Sequence, residues 1–381
     1  MFCPTESCPL RGQLGQDNIR VHSQAERRYL CLTCGATFAE SRGTPYYRLR
    51  KPAASVTCVV TLLAHGCPVP AIVAAFGLDE RTVASWQDRA GQHCETVHHA
   101  LVRQGRVDVE HVQADELWVK VVGRKVWMAL ALAVPSRLWL GGAVSAHRNG
   151  ELIRTLVEGV RRCARPGPLV VCVDGLSSYV TAFRRAFQEK ISTGRRGGPR
   201  RRLQADFLLG QVIKSRRVSP GVGRVVSVAQ RAVVGTLAEI TQRIQATGGG
   251  QMINTAYIER LNATFRNRLA PLVRKGRCLA RKDRTLHAGM YLVGTVYNFC
   301  RGHDSLRLPV PGPGRRRWEE RTPAMAAGLT DHRWSVGQLL RHRVAPPPRR
   351  WPKRRGRAPK EPPRIYWKLR PRRYVICLPT V

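Results

Sequence analysis

The chain has 381 residues, with 65 Lys and Arg against 25 Asp and Glu and a formal net charge of +40. A hydrophobic share of 43% excludes a wholly disordered chain, and the length predicts two or three domains. The charge points to a polyanionic partner, with 55 of the 65 positive charges on Arg, whose planar guanidinium suits bidentate phosphate contacts.

The longest apolar run, Val126 to Val134, stops at Pro135 and falls far short of the ~18 residues that a membrane helix needs. Met1-Phe2-Cys3-Pro4 lacks the charged start and apolar core of a secretory leader, so neither a membrane span nor export is expected. In a reducing cytosol the 12 cysteines are then thiols or metal ligands, and eight are scattered singly, as small buried apolar residues would be. The other four cluster. Cys3-x4-Cys8 and Cys31-x2-Cys34 form two pairs, which predicts a structural Zn²⁺ held by four thiolates with Gly35 in a left-handed turn after the last ligand. The alternative is four unligated thiols. A zinc-ribbon-like module is assigned to residues 1–48.

Residues 52–105 read as helices. Val56 to His65 is apolar enough for a buried helix, and Pro70 to Trp86 has the pattern helix, Gly77 turn, helix, with Asp79 as cap and Val83 and Trp86 facing inward. Arg81, Ser85 and Arg89 then share the outward face at i, i+4 spacing, where they could enter a DNA major groove. A plain three-helix packing unit would show the same apolar pattern.

Next come three antiparallel strands, Val112 to Val122, Val126 to Val134 and Leu138 to Val144. The first carries Asp115 and Glu116, and strict alternation sends adjacent residues to opposite faces, so only Asp115 is expected in a site. Asp174 ends the apolar run Leu169 to Val173, which reads as a central strand whose carboxyl end offers a carboxylate, or a helix cap. Gly194 to Arg202 reads as an exposed loop. In Asn254 to Leu269, Ile258, Leu261, Phe265 and Leu269 form a core stripe, while Glu259, Asn262 and Arg266 line up beside it; an ordinary surface Glu and Arg face is the bland alternative. Asp115, Asp174 and Glu259 together would hold two Mg²⁺ or Mn²⁺ ions for in-line phosphoryl transfer, with arginines gripping the remaining phosphates. Residues 311–381 form a basic segment, Pro/Arg-rich and expected to be disordered after about residue 345.

The series of cysteine pairs, helix-turn-helix, Asp-Glu-Leu-Trp at Asp115, Val-Asp-Gly at Asp174 and Ile-Glu-Arg-Leu-Asn at Glu259 resembles the DDE transposases of bacterial insertion sequences, especially the IS-one-like group. The resemblance covers about residues 1–340. It implies a multidomain α/β protein, in which the zinc ribbon and helix-turn-helix precede a ribonuclease H-like catalytic domain over residues 108–310, a mixed sheet with flanking helices. It further implies Asp115, Asp174 and Glu259 as catalytic metal ligands, and Arg81, Ser85, Arg89, Asn262, Arg266 and Arg268 as DNA contacts. The expected activity is metal-dependent cleavage and strand transfer at element ends. The expected partners are double-stranded DNA, both ends and target, and further copies of the chain on that DNA in a prokaryotic cytoplasm, associated with the nucleoid. A non-catalytic DNA-binding protein derived from a transposase is the alternative.

The charge divides unevenly: residues 1–110 carry +2, residues 111–310 carry +23 and residues 311–381 carry +15. Most of it therefore lies in the expected catalytic region and tail, where it would grip phosphates without reading sequence.

Overall fold

The computed structural model describes residues 1–192, 198–219, 222–272, 282–310 and 317–348. The chain divides into two compact units, one of Met1–Arg50 with the segment from Arg343, the other of Lys51–His342.

In the first unit, β1 (Ile19–Ser23), β2 (Arg28–Cys31) and β3 (Thr37–Ala39) form a small antiparallel sheet in chain order. Among the described residues its core cluster is Cys3, Cys8, Cys31 and Phe38, with Leu10, Ile19, Tyr29 and Cys34 against them. Arg343 belongs to this unit, its guanidinium lying 4.8 Å from the Phe2 ring centre and 5.7 Å from that of Phe38. Cation and aromatic faces attract in this geometry.

The second unit begins with α1 (Ala53–Ala64), α2 (Val69–Phe76) and α3 (Glu80–Leu101). Gly77 ends α2 in the left-handed conformation with φ 59°, which lacks the steric cost a Cβ would bring. Asp79 caps α3 as expected, accepting from the Arg81 amide at 2.8 Å. Val83 and Trp86 are buried, and the stripe continues through Ala90, Cys94 and Val97, so α3 is one long helix.

Three antiparallel strands follow, β4 (His111–Val121), β5 (Arg124–Ala133) and β6 (Leu138–Ser145), then α4 (Gly150–Cys163), β7 (Leu169–Asp174) and α5 (Ser177–Ala186). After β8 (Gln188–Ile191) and β9 (Arg200–Leu203), the long strands β10 (Phe207–Ser219) and β11 (Val222–Val234) lead to α6 (Leu237–Ala246), α7 (Ala256–Arg268) and α8 (Asp283–Cys300). The six-stranded sheet has the order β11-β10-β7-β4-β5-β6. Strand β7 runs parallel to both β4 and β10, and the remaining neighbours are antiparallel, which makes the sheet mixed. Buried Leu152, Ile153, Leu156, Val157 and Val160 recur at helical spacing and seal α4 against one face, joined by Tyr179 and Phe183 of α5. On the other face α6 covers Val170, Cys172 and Val212. Helices α7 and α8 pack on β4, β5 and β6.

Helix α3 meets α8 at Gly91, where an added Cβ would lie 2.3 Å from the Ala288 carbonyl oxygen. Only hydrogen fits there. Residues 52–105 and 108–310, assigned from the sequence to separate domains, thus lie within one unit. So do α9 (Pro323–Ala326) and α10 (Val336–Arg341), with the Trp334 ring centre 4.9 Å from that of Phe299 and the two rings tilted by 35°. This part of the C-terminal segment is folded rather than loose.

The expected loop at Gly194–Arg202 needs correction: residues 193–197 lie outside the described residues, and Arg200–Leu203 pair with β8 as a strand. A two-stranded ladder uses backbone groups alone, so exposed arginines do not prevent it. The Pro/Arg tail beyond residue 348 lies outside the described residues. Among the described residues no helix is long and apolar enough to cross a membrane.

Candidate metal centres

The first centre arises at the middle of the sheet. Register between β4 and β7 ends with Ala114 opposite Val173, so Asp174, the last residue of β7, and Asp115, midway along the longer β4, follow side by side on two adjacent parallel strands. Strand β7 stops there while β4 continues, paired only with β5. Asp115, Glu116 and Asp174 each bring a carboxylate oxygen to within 4.8 Å of the others. Glu116 therefore enters the site, contrary to the expectation that alternation would exclude it. Past the end of β7 no strand separates the two faces, and the longer glutamate reaches into the gap.

Each carboxylate is held. Tyr179 donates its hydroxyl to Glu116 Oε2 at 2.9 Å, and Arg148 Nε donates to Glu116 Oε1 at 2.7 Å. Arg148 Nη2 also lies 3.7 Å from Asp174 Oδ2, so one guanidinium spans two carboxylates. Asp174 Oδ1 accepts from the Leu176 amide at 3.0 Å, a bond in the turn before α5 rather than a helix cap, which leaves Oδ2 facing Arg148. Asn262 of α7 donates to Asp115 Oδ2 at 2.8 Å and is buried. Expected as a DNA contact, it is the hydrogen-bond partner of a carboxylate in this structure.

Glu259 lies one turn earlier on α7, within electrostatic reach of Asp115 but outside the group of three. Its Oε1 accepts from Lys214 Nζ at 2.6 Å and from the Thr255 hydroxyl at 2.9 Å. Burial opposes its charge, yet these two bonds hold its carboxyl below the ordinary range. Asp206 is exposed just before β10, at the end of the sheet opposite Asp174.

Burial and crowding raise the two aspartates. Burial first, then Glu116 and Asp174, pushes Asp115 up to about 7, and burial with Glu116 also raises Asp174. Hard oxygen donors packed this closely fit a divalent ion such as Mg²⁺, whose charge would replace the missing compensation. The sign of the linkage follows. An acid whose folded pKa is raised stabilises the fold below its unfolded pKa and loses that contribution as pH rises toward about 7. Metal binding must also displace the Asp115 proton. We expect Mn²⁺ affinity, measured by calorimetry at pH 5.5, 7 and 8.5, to rise steeply over the first interval and to level off over the second. Asp115→Asn should remove the pH-dependent loss of stability in the metal-free protein; an unchanged melting profile from pH 5 to 8 would contradict the assignment.

The second centre is the cysteine cluster. Sulfur atoms of Cys3 and Cys34, and of Cys8 and Cys31, are each 3.8 Å apart. A disulfide needs about 2.05 Å. A tetrahedron with Zn–S bonds of about 2.3 Å has edges of about 3.8 Å, which these separations match. Gly35 has the expected left-handed φ of 68°, and Asn18 Nδ2 points at Cys31 Sγ from 3.6 Å. Burial raises Cys8 and pushes Cys34 up to about 11, whereas Cys3, in spite of burial, is lowered by its hydrogen bonds to Thr5. The donor set fits Zn²⁺.

Of the anticipated DNA contacts, Arg81 and Ser85 are exposed on α3 and Arg89 is half-buried. Arg266 and Arg268 are half-buried on α7, and burial together with Arg301 lowers the Arg268 pKa. Comparison with protein-family models and with curated proteins finds no match to this chain.

Proposed function

We propose that this chain is a DNA transposase that cuts and joins strands at the ends of a mobile element through metal-dependent phosphoryl transfer. The observation that carries the reading is the placement of Asp115, midway along β4, beside Asp174 at the end of the adjacent parallel β7, with Glu116 completing a close group of three carboxylates. A mixed sheet with helices on both faces and acids at its centre supports the ribonuclease H-like assignment. Helices α2 and α3, with the capped three-residue turn between them, support the helix-turn-helix assignment.

Bound at the three carboxylates, Mg²⁺ would supply charge to activate an attacking oxygen and stabilise the leaving one. The chain's own part is positional. Asn262 fixes Asp115, Tyr179 and Arg148 fix Glu116, and the Leu176 amide fixes Asp174. For Glu259 to join them, its bond to Lys214 has to open. A phosphate entering the site offers Lys214 another anion, so substrate binding and release of Glu259 are compatible steps.

The test is incubation of purified full-length protein with end-labelled duplex carrying the DNA that flanks the gene, with Mg²⁺, Mn²⁺ or EDTA. We expect nicks with 3′-hydroxyl ends in either metal and none in EDTA, followed by joined products. DNA binding without cutting in either metal would instead favour the non-catalytic DNA-binding reading. Cutting without joining, and with no preference among ends, would point to a plain nuclease.

A further inference from the structure

A second basic feature lies on the α7 face of the sheet, in a cleft of about 560 Å³ that no carboxylate of the metal centre lines. Three separated segments supply its cations: Arg137 from the turn between β5 and β6, Arg260 from α7, and Arg301 just after α8. Tyr257 and His303 also line it, and Asp304 is the single carboxylate among the described lining residues. None of the three arginines makes an ion pair among the described residues.

Two observations separate this cleft from a solvated basic surface. Arg137 is held at φ 58°, a left-handed conformation that Gly or Asn would take more readily. A strained turn that keeps an arginine implies a use for its side chain. That side chain is fixed, its guanidinium stacked 4.0 Å from the Tyr257 ring centre and donating to the Val134 carbonyl. The second observation is the field within the cleft. His303 is held below its ordinary pKa by burial and then by Arg137, Arg301 and Arg260, against only a partial counterweight from Asp304. The volume suits a small ligand.

We infer that this cleft is a phosphate-binding site, with Arg137, Arg260 and Arg301 as the guanidinium donors and the Tyr257 ring as the support of Arg137. Forked N–H donors and uncompensated positive charge match the tetrahedral oxygens of a phosphate group. Its location places the phosphate beside the carboxylates without touching them. Leu132, at the cleft wall, pairs across the sheet with Gln113, two residues before Asp115 and so roughly 7 Å along the strand. The phosphate belongs either to a DNA strand or to a free small molecule, and the inference does not depend on cleavage.

The experiment uses full-length protein in EDTA, so the metal centre plays no part. Inorganic phosphate is titrated by calorimetry in 150 mM salt, and a labelled duplex is followed by anisotropy across a salt series. Wild type is compared with Arg137→Ala/Arg260→Ala/Arg301→Ala and with a charge-matched control, Arg154→Ala/Arg184→Ala/Arg185→Ala. Phosphate binding should weaken at least tenfold in the cleft variant alone. If DNA is the source, the salt slope should also fall by about 0.9 for each lost contact, more than in the control. Weakened phosphate binding with a duplex response equal to the control identifies a free phosphate as ligand; a selective duplex response without measurable phosphate binding identifies DNA. Should the triple variant melt early, Arg301→Ala alone, exposed at the helix end, should still weaken binding of whichever ligand is found at least threefold. Cleft and control variants that behave alike toward both ligands would overturn the inference.

Discussion

Asp115→Asn is expected to reduce metal-dependent strand cleavage by about a hundredfold or more, while duplex affinity in EDTA stays within about twofold of wild type. The size follows from removing one preorganised charge at a site where charge develops in the transition state, typically 10²- to 10³-fold. Asp174→Asn should match it, because the two carboxylates follow one another across adjacent strands and neither can replace the other. Glu116→Gln is the more discriminating substitution. If Glu116 binds the ion, the amide should cost at least about tenfold and raise the Mn²⁺ concentration needed for half-maximal rate. If it serves only to anchor Arg148 and Tyr179, the rate would fall without that shift, since the amide keeps one oxygen for hydrogen bonding. Rates for Asp115→Asn and Asp174→Asn near wild type would remove the basis for assigning catalysis to this centre. Glu259→Gln tests the third expected ligand: a hundredfold loss places it at the metal during reaction, whereas a small change leaves it as the partner of Lys214.

The second large effect concerns the cysteine cluster. Chelation of zinc, or Cys31→Ser, is expected to unfold Met1–Arg50 while leaving the Lys51–His342 unit folded. Among the described residues the core cluster of the small unit is three cysteines and one phenylalanine, with four partly buried apolar neighbours, too little apolar surface to offset the ordering of some fifty residues. Structural zinc contributes on the order of 10 kcal/mol or more to such a piece. Limited proteolysis should then cut within residues 1–50 first, and elemental analysis should find about one zinc per chain before chelation. A chain purified without chelators and free of zinc, yet resistant to cleavage in that region, would show that the thiols pack without metal. DNA cleavage by the chelated protein after Mg²⁺ is restored would separate the two centres, since the carboxylate group contains no sulfur ligand.

Much of this molecule was legible in its sequence because the relevant signals are local. The Gly77 turn, the Asp79 cap and the buried pair Val83 and Trp86 follow from backbone sterics and helical periodicity. The same holds for the stripe of Ile258, Leu261 and Phe265 on α7, and for Asp174 at the end of an apolar strand. The pairing of Cys3 and Cys8 with Cys31 and Cys34 was readable from spacing, since few other arrangements satisfy four nearby thiols. Other features had no local signal. Nothing within residues 80–101 shows that one helix serves both the helix pair and the sheet unit, because Gly91 reveals its purpose only when Ala288 lies against it.

Sequence by itself therefore determined many of the element types, though not the strands and helix between Arg200 and Ala246, together with the cysteine tetrad, the two aspartates and the +40 charge that calls for a polyanion. Tertiary structure alone decided which side chains share a space. Alternation along β4 sends Glu116 away from Asp115, but β7 ends one residue past their last paired neighbours, and beyond that end the two faces of the sheet are no longer partitioned. It likewise turned Asn262 from an outward contact into the partner of Asp115 and set Lys214 on Glu259. Periodicity reports the direction in which a side chain leaves its own backbone, whereas the neighbours it meets depend on where other strands stop, and that is fixed only when the whole sheet has assembled.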